Sequence, residues 1–303
     1  MDYDVVIAGA GLAGLTAGLT TARFGLRTLV VEQLAPGGQV MNIERIENFP
    51  GFPDGVSGAE LGPLVQQQAE DAGAEFTMDT ITALERTGEE FAVVGESGSH
   101  RTRAVVIATG SSRRTLGVPG EAEFFGRGVA QCAACDGYFF AGKRVLVVGG
   151  GDSALDEARV LLDNGVRQVL LAHRGERFSA QGVIRDRIAS LDAVETAFGT
   201  ELTGIKGDKQ VAEVVLRQGG QERTEAVDGV FVYAGLQPNS EWVRALVDVD
   251  AAGHVVVDPF LAASVPGVYA AGDIRQHSVA HLAACAGDGA TAGVGVARHL
   301  GAR

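Results

Sequence analysis

VVIAGAGLAGLTAG, Val5–Gly18, opens on four apolar residues and breaks into Gly9-x-Gly11-x-x-Gly14. An unbroken apolar run before a glycine turn is the pattern of a parallel strand buried on both faces, and the residues that follow continue as a helix. LRTLVVE, Leu26–Glu32, reads as the next strand and completes a βαβ unit. In such a unit the glycines let the backbone approach a pyrophosphate at the positive end of the helix, and an acid closing the second strand accepts hydrogen bonds from a ribose. Gly9, Gly11, Gly14 and Glu32 are therefore expected to hold the adenosine half of a dinucleotide. The run to Ala22 is apolar enough to resemble a signal peptide or membrane helix. Asp2 and Asp4, where a basic leader belongs, and the interrupting glycines argue against both.

The unit occurs twice. KRVLVVGGGDSALDEARVLLDNGVRQVLLAHR, Lys143–Arg174, again runs strand, glycine turn, helix and strand, with Gly149-x-Gly151-x-x-Ala154 at the turn. One such fingerprint is a weak signal, but two in full βαβ context imply two dinucleotides or two halves of one electron path. Glu75–Gly110 alternates apolar and polar residues around glycine turns, which reads as a small antiparallel insertion returning to a strand at Val105–Thr109. Val211–Tyr233 repeats that pattern. The expected fold class is α/β, with two Rossmann-like three-layer domains, each carrying a small antiparallel β-meander. Gly/Pro-containing hinges at Ser111–Glu121 and Gly235–Ser240 bracket the second unit. They predict a first domain of 1–114 and 241–303, with the second, 115–240, inserted within it.

A chain of 303 residues, 46% hydrophobic and with 43 glycines, is long enough for two domains with real cores. Asp and Glu number 38 against 25 Lys and Arg, and the net charge of -13 argues against nucleic acid and anionic membrane surfaces as partners. Three cysteines do not make a secreted disulfide framework, and a reducing cytoplasmic setting is expected.

Two of those cysteines stand in CAACDGYF, Cys132–Phe139. Structural zinc needs about four ligands. No second CxxC or matching His pair exists, so no metal site is expected. A structural bridge over two residues closes too small a loop to stabilise much, whereas a CxxC pair can lower a thiol pKa and exchange with partners. Redox chemistry at Cys132 and Cys135 is the favoured reading. Asp136 follows directly, where a partly desolvated carboxyl can deliver the protons that disulfide reduction consumes, and Asp-Gly is also a turn signal.

These segments together resemble the low-molecular-weight thioredoxin reductases. The matching pieces, in order, are the Gly9–Gly14 fingerprint with Glu32, PGGQ at Pro36–Gln39, IENFPGF at Ile46–Phe52, ATG at Ala108–Gly110, VPGE at Val118–Glu121, CAACDGYF, GGGDSA at Gly149–Ala154 and AGD ending at Asp273. The likeness runs from Asp4 to Leu300. It implies an FAD domain made of both chain ends, an inserted NADH- or NADPH-binding domain carrying a redox-active disulfide, and a homodimer. The partner it implies is a thioredoxin-like protein disulfide that arrives in trans. It implies flavin or ribityl contacts for Gln39, Asn48 and Asp273. It also makes Cys135 the flavin-facing sulfur, Cys132 the more exposed exchange thiol, and Asp136 the acid–base residue.

Two departures bear on the donor and the flavin. NADPH-using members carry an HRRxxxR-like cluster after the second Rossmann strand, whose guanidinium groups grip the 2′-phosphate. Here the segment is HRGERFSA, His173–Ala180: Arg174 remains, Gly175 and Ser179 replace arginines, and Glu176 adds negative charge. Arg177 can compensate from a shifted position, and an acid here can also serve an NADH ribose. Where the family reads Arg-Gln near the last helix, this chain has Ala280-His281. His281 is read either as a residue at the flavin pyrimidine edge or as a helix N-terminal histidine bonded to a carbonyl. The expected activity is a flavin-dependent disulfide reductase passing electrons from NAD(P)H through FAD and Cys132–Cys135 to an external disulfide. The rivals are a related flavoprotein with a non-nicotinamide donor or dithiol oxidase activity, and a flavin redox sensor without turnover.

Overall fold

The computed structural model describes residues 2–302. It divides into two units: one runs up to Ser112 and resumes at Gln237, and the other is Arg113–Leu236. The first unit begins with β1 (Val5–Ala8), α1 (Leu12–Arg23) and β2 (Thr28–Glu32). A short 3-10 turn, Gly38–Asn42, leads to α2 (Gly58–Asp71). That helix starts on a reciprocal cap, Ser57 Oγ accepting from the Glu60 amide while the Glu60 carboxylate accepts from the Ser57 amide. β3 (Glu75–Met78) pairs parallel with β2, so Glu75–Met78 belongs to the parallel sheet and not to the antiparallel insertion expected from its alternation. As an edge strand it buries no residue fully, Phe76 and Thr77 being half-buried between exposed Glu75 and Met78, and its alternating sequence imitates a meander strand. The meander itself is β4 (Ile81–Thr87), β5 (Glu90–Gly95) and β6 (Ser99–Thr102). The chain then re-enters the sheet as β7 (Ala104–Ile107) and leaves through β8 (Ser111–Arg113).

The second unit repeats the plan. β9 (Val129–Ala130) precedes α3 (Ala133–Asp136), and β10 (Arg144–Val148), α4 (Asp152–Asp163) and β11 (Gln168–His173) form the βαβ core. α5 (Gly182–Ala189) and β12 (Val194–Phe198) follow, then a meander of β13 (Thr200–Gly207), β14 (Val211–Gln218) and β15 (Gln221–Ala226). β13 lies ahead of the stretch expected to form this meander. β16 (Gly229–Val232) completes a parallel sheet of order β12-β11-β10-β16-β9.

The return crossing runs through β17 (Leu236–Pro238), and the first unit closes with β18 (Val268–Ala270) and α6 (Leu282–His299). Its sheet reads β18-β7-β1-β2-β3. β1 is fully buried because its residues serve two layers: Val5 and Ile7 pack with α1 and α6, while Val6 packs with Leu84, Phe91 and Val93 of the meander. Val145 and Val147 face α4 and Leu146 faces the second meander in the same way. This double coverage turns each central strand into an unbroken apolar run. The glycines of α6 admit α1: a Cβ on Gly289 would stand 2.2 Å from the Ala13 carbonyl oxygen. Among the described residues no helix is long and apolar enough to cross a membrane.

Candidate functional site

The first glycine turn is shaped by contact on one side and space on the other. Gly9 has φ 99°, and a Cβ on Gly14 would lie 1.8 Å from the Gly9 carbonyl oxygen, so α1 leaves the strand closer than any side chain permits. A Cβ on Gly11 would meet nothing within 4 Å, and Gly11 caps α1 without a side-chain acceptor. Bare backbone amides facing open space fit a pyrophosphate, and by that test the turn fits a dinucleotide. Glu32 is already engaged: its carboxylate accepts from the amides of Ala10, at 2.7 Å, and Leu34, at 3.1 Å. A carboxylate has about four lone-pair sites, so it orders the turn and still has room for ribose hydroxyls.

At the same carboxyl end of the sheet, past β18, Asp273 is half-buried and its Oδ1 accepts from Ser278 Oγ at 3.2 Å and from the Cys285 thiol at 3.4 Å. Burial and the neighbouring Asp273 carboxylate push the Cys285 thiol far above the usual range, so it stays protonated. The Asp273 carbonyl takes the Ser111 hydroxyl at 3.0 Å, and the Ser111 carbonyl in turn takes Gln39 Nε2 at 3.4 Å. Behind them Asp288, buried on α6, accepts from the Gly272 amide and holds Arg275 through both oxygens, at 2.6 and 2.9 Å. Gln39 and Asp273 thus share one network, while Asn48 is exposed on the separate loop after Ile46. His281 caps α6, its Nδ1 accepting from the Ala283 amide at 3.2 Å. The bond runs opposite to the carbonyl contact expected, because the first amides of a helix lack acceptors. An accepting Nδ1 puts the proton of a neutral ring on Nε2.

In the second unit Gly149 has φ 154°, and a Cβ there would stand 2.7 Å from both the Ala154 Cβ and the Tyr233 carbonyl oxygen. Gly151 caps α4, and a Cβ there would meet only Ser179 Oγ, at 3.8 Å. Ala154 is buried where α4 crosses the strand. Within its own unit this turn is open at its second glycine, as the first turn is at Gly11. The imidazole of His173, at the end of β11, packs over the turn: a Cβ on Gly150 would be 2.4 Å from its Nδ1. Burial first, then the Arg174 charge, lower the His173 pKa. Arg174, Glu176 and Arg177 are exposed, while Ser179 donates its hydroxyl and its amide to the Gly150 carbonyl. Ser179 therefore braces the turn from a position where the family pattern expects a phosphate-gripping arginine.

Also in the second unit, Cys132 and Cys135 form a disulfide, with Cα atoms 5.3 Å apart. Cys132 caps α3, its Sγ accepting from the Cys135 amide at 3.2 Å, and the Asp136 amide donates to the Cys132 carbonyl. Asp136 is half-buried at the end of this turn. Cys135 is exposed and Cys132 half-buried, the reverse of the expected order, because the capping geometry turns Cys132 Sγ back over its own helix. Under the turn lies Glu157 of α4, which accepts from the Ala133 amide at 2.5 Å, the Tyr233 hydroxyl at 2.9 Å and Arg113 at 3.4 Å. Glu157, Tyr233, Asn164 and Arg113 stand in no sequence motif, and only the helical phase of α4, with Glu157 between buried Ala154 and Leu161, points to a polar residue on its inner face. Tyr138 and Phe139, just past the disulfide, are exposed with ring centroids 4.2 Å apart.

Two dinucleotide turns on a duplicated α/β plan, with a closed CxxC disulfide on one of the two units, define a nucleotide-linked disulfide oxidoreductase. A family model described as pyridine nucleotide-disulphide oxidoreductase matches residues 3–289. A thioredoxin reductase of Treponema pallidum (strain Nichols) is 37% identical over 301 residues, 99% of this chain and 97% of that protein. One of Mycolicibacterium smegmatis is 40% identical over 301 residues, 98% of this chain and 96% of that protein. The crystal structure of Lactococcus lactis thioredoxin reductase (FR conformation), 36% identical, matches with a TM-score of 0.96 over 98% of this chain and 99% of that one. The chain belongs to the pyridine nucleotide-disulphide oxidoreductase family. Within it, the chain is a flavin-dependent disulfide reductase of thioredoxin-reductase type that works with a nicotinamide cofactor.

Proposed function

We propose that the chain binds FAD in its first unit and NADH or NADPH in its second, and reduces a thioredoxin-like protein disulfide as a cytoplasmic homodimer. The observation that carries this is the closed Cys132–Cys135 disulfide, set on an exposed turn of the unit whose other glycine turn is open for a nucleotide. Gly9, Gly11, Gly14 and Glu32 would hold the adenosine half of FAD, with Gln39, Asn48, Asp273 and His281 toward the flavin. Gly149, Gly151, Ala154 and Arg174 would hold the nicotinamide nucleotide. FAD, when bound, supplies the two-electron link between nicotinamide and disulfide.

The chain's own residues then act as follows. Two electrons break the Cys132–Cys135 bond, and Asp136 delivers a proton to one sulfur, leaving a thiol and a thiolate. The thiolate attacks the partner's disulfide, the partner's leaving sulfur departs, and the second cysteine resolves the mixed disulfide and restores the Cys132–Cys135 bond. Tyr138 and Phe139 offer a partner protein an exposed apolar patch beside the reacting sulfurs.

The exposed Arg174 and Arg177 stand with Glu176 between them, and Gly175 and Ser179 supply no guanidinium, so NADH should serve at least as well as NADPH. Rapid mixing of the holoprotein with each nucleotide under anaerobic conditions tests this through flavin bleaching. A wide NADPH preference would show that Arg174 and Arg177 suffice for the 2′-phosphate. Bleaching by neither would give the lead to a non-nicotinamide donor.

A further inference from the structure

We propose that Glu157 is a positioning residue that sets the reduction potential and thiol reactivity of the Cys132–Cys135 couple. Ala133, the fully buried residue after Cys132, is held at both of its polar groups by α4 and its cap. Its amide donates to Glu157 Oε2 at 2.5 Å, and its carbonyl accepts from Asn164 Nδ2 at 3.2 Å. The turn has no slack above this clamp, since a Cβ on Gly137 would stand 2.8 Å from Asn164 Nδ2. Glu157 is only 15% exposed, and every contact it makes is to a donor: the Ala133 amide, the Tyr233 hydroxyl and the Arg113 guanidinium. Arg113 also lies over the Tyr233 ring, 5.2 Å from its centroid. Burial and the Glu157 charge keep the Tyr233 phenol protonated, which leaves it a fixed donor.

This arrangement places a carboxylate beside the redox turn and engages the Ala133 amide on it, while the Cys135 amide donates to Cys132 Sγ. Opening the disulfide consumes two electrons, drawn from the flavin in the proposed function, and one proton, and yields one thiol and one thiolate. A neighbouring negative charge disfavours the thiolate and hence the reduced state, so Glu157 holds the couple at a low potential. Tyr233, on the same oxygen as the Ala133 amide, and Arg113, on the other oxygen, temper that charge.

The inference rests on reading Cys132–Cys135 as the redox couple, and one titration separates the two claims. The FAD-loaded full chain is equilibrated with a dithiothreitol redox buffer, its free thiols are trapped, and iodoacetamide reactivity is measured on the reduced form. Wild type should open reversibly at Cys132 and Cys135, and failure to do so removes the reading of the couple itself. Glu157→Gln keeps size and an acceptor but loses the charge. It should move the equilibrium about tenfold toward dithiol, about 30 mV upward, with faster alkylation. Tyr233→Phe leaves the carboxylate less tempered and should move the equilibrium about threefold toward disulfide, opposite in sign. Unchanged potentials in both variants, or shifts of the same sign, with a normal wild-type titration, would reduce Glu157 to packing. Should Glu157→Gln fail to fold, the sign of the Tyr233→Phe shift decides alone.

Discussion

Replacing Gly14 by alanine separates the two halves of the first glycine turn. The added Cβ would stand 1.8 Å from the Gly9 carbonyl oxygen and 2.9 Å from its carbon, both backbone atoms of the strand end. Carbon contacts settle at about 3.5–4.0 Å, so α1 must retreat by more than an ångström from a sheet it packs against on one side while α6 packs it on the other. Overpacking of this kind costs about 3 kcal/mol or more, which lowers the melting temperature by roughly 6–12 °C for a unit of this size. Gly11→Ala is the matched control, because its Cβ meets nothing within 4 Å. The apoprotein should melt as wild type does, while FAD affinity falls about tenfold or more where the methyl displaces an amide–phosphate contact. Thermal melts of both apoproteins, followed by FAD titrations, read the two effects apart. An apo Gly14→Ala protein as stable as wild type would refute the close-approach argument, and undiminished FAD binding by Gly11→Ala would refute the placement of the pyrophosphate.

Three further outcomes are expected. Restoring arginine with Gly175→Arg and Ser179→Arg should shift preference toward NADPH by about tenfold or more, each charge-assisted phosphate contact being worth about 1.5–3 kcal/mol. The gain should be partial, since a Cβ at 175 stands 2.8 Å from His173 Nε2 and the Ser179 hydroxyl bond to Gly150 is lost; competitive binding of the two nucleotides measures it. His173 has a folded-state pKa below the ordinary 6.5, so the unfolded chain binds its proton more readily and stability falls as pH drops through 6.5. His173→Gln should flatten the wild-type slope between about pH 7 and pH 5 in urea melts, and an unchanged slope would remove the linkage. Trapping experiments with Cys132→Ser and Cys135→Ser decide which sulfur exchanges first: the family resemblance assigns Cys132, the exposure order favours Cys135, and only the variant retaining the attacking thiol should form a stable mixed disulfide with a protein substrate.

Both βαβ units were legible because each central strand is covered on two faces and so writes an unbroken apolar run, and because a glycine turn is local. The CxxC pair was legible for the same reason of locality. Glu75–Met78 misled because an edge strand with no fully buried residue keeps polar residues at alternate positions, as a meander strand does. Thr200–Gly207 was passed over because TELTGIKG carries only two large apolar residues, although it forms a full strand of the second meander. The exposure order of the two cysteines depends on capping geometry, which residue spacing does not encode. Glu157, Tyr233 and Arg113 meet only through the fold, each far along the chain from Ala133, and none stands in a motif. For His281 the identity of the residue was visible, but the direction of its hydrogen bond was set by the free amides at the start of α6.

In the function proposed, electrons entering the flavin leave through Cys132–Cys135. The most direct measurement is anaerobic reduction of the holoprotein by its nicotinamide donor, followed by quenching with an alkylating agent and peptide mass mapping. The expected result is two alkyl groups on the peptide containing Cys132 and Cys135 once an electron pair has passed from the flavin, with two pairs needed for an open disulfide and a fully bleached flavin together. Cys285, half-buried and held protonated against Asp273, should be labelled only after unfolding. A flavin that bleaches fully while that peptide stays disulfide-bonded would contradict the account.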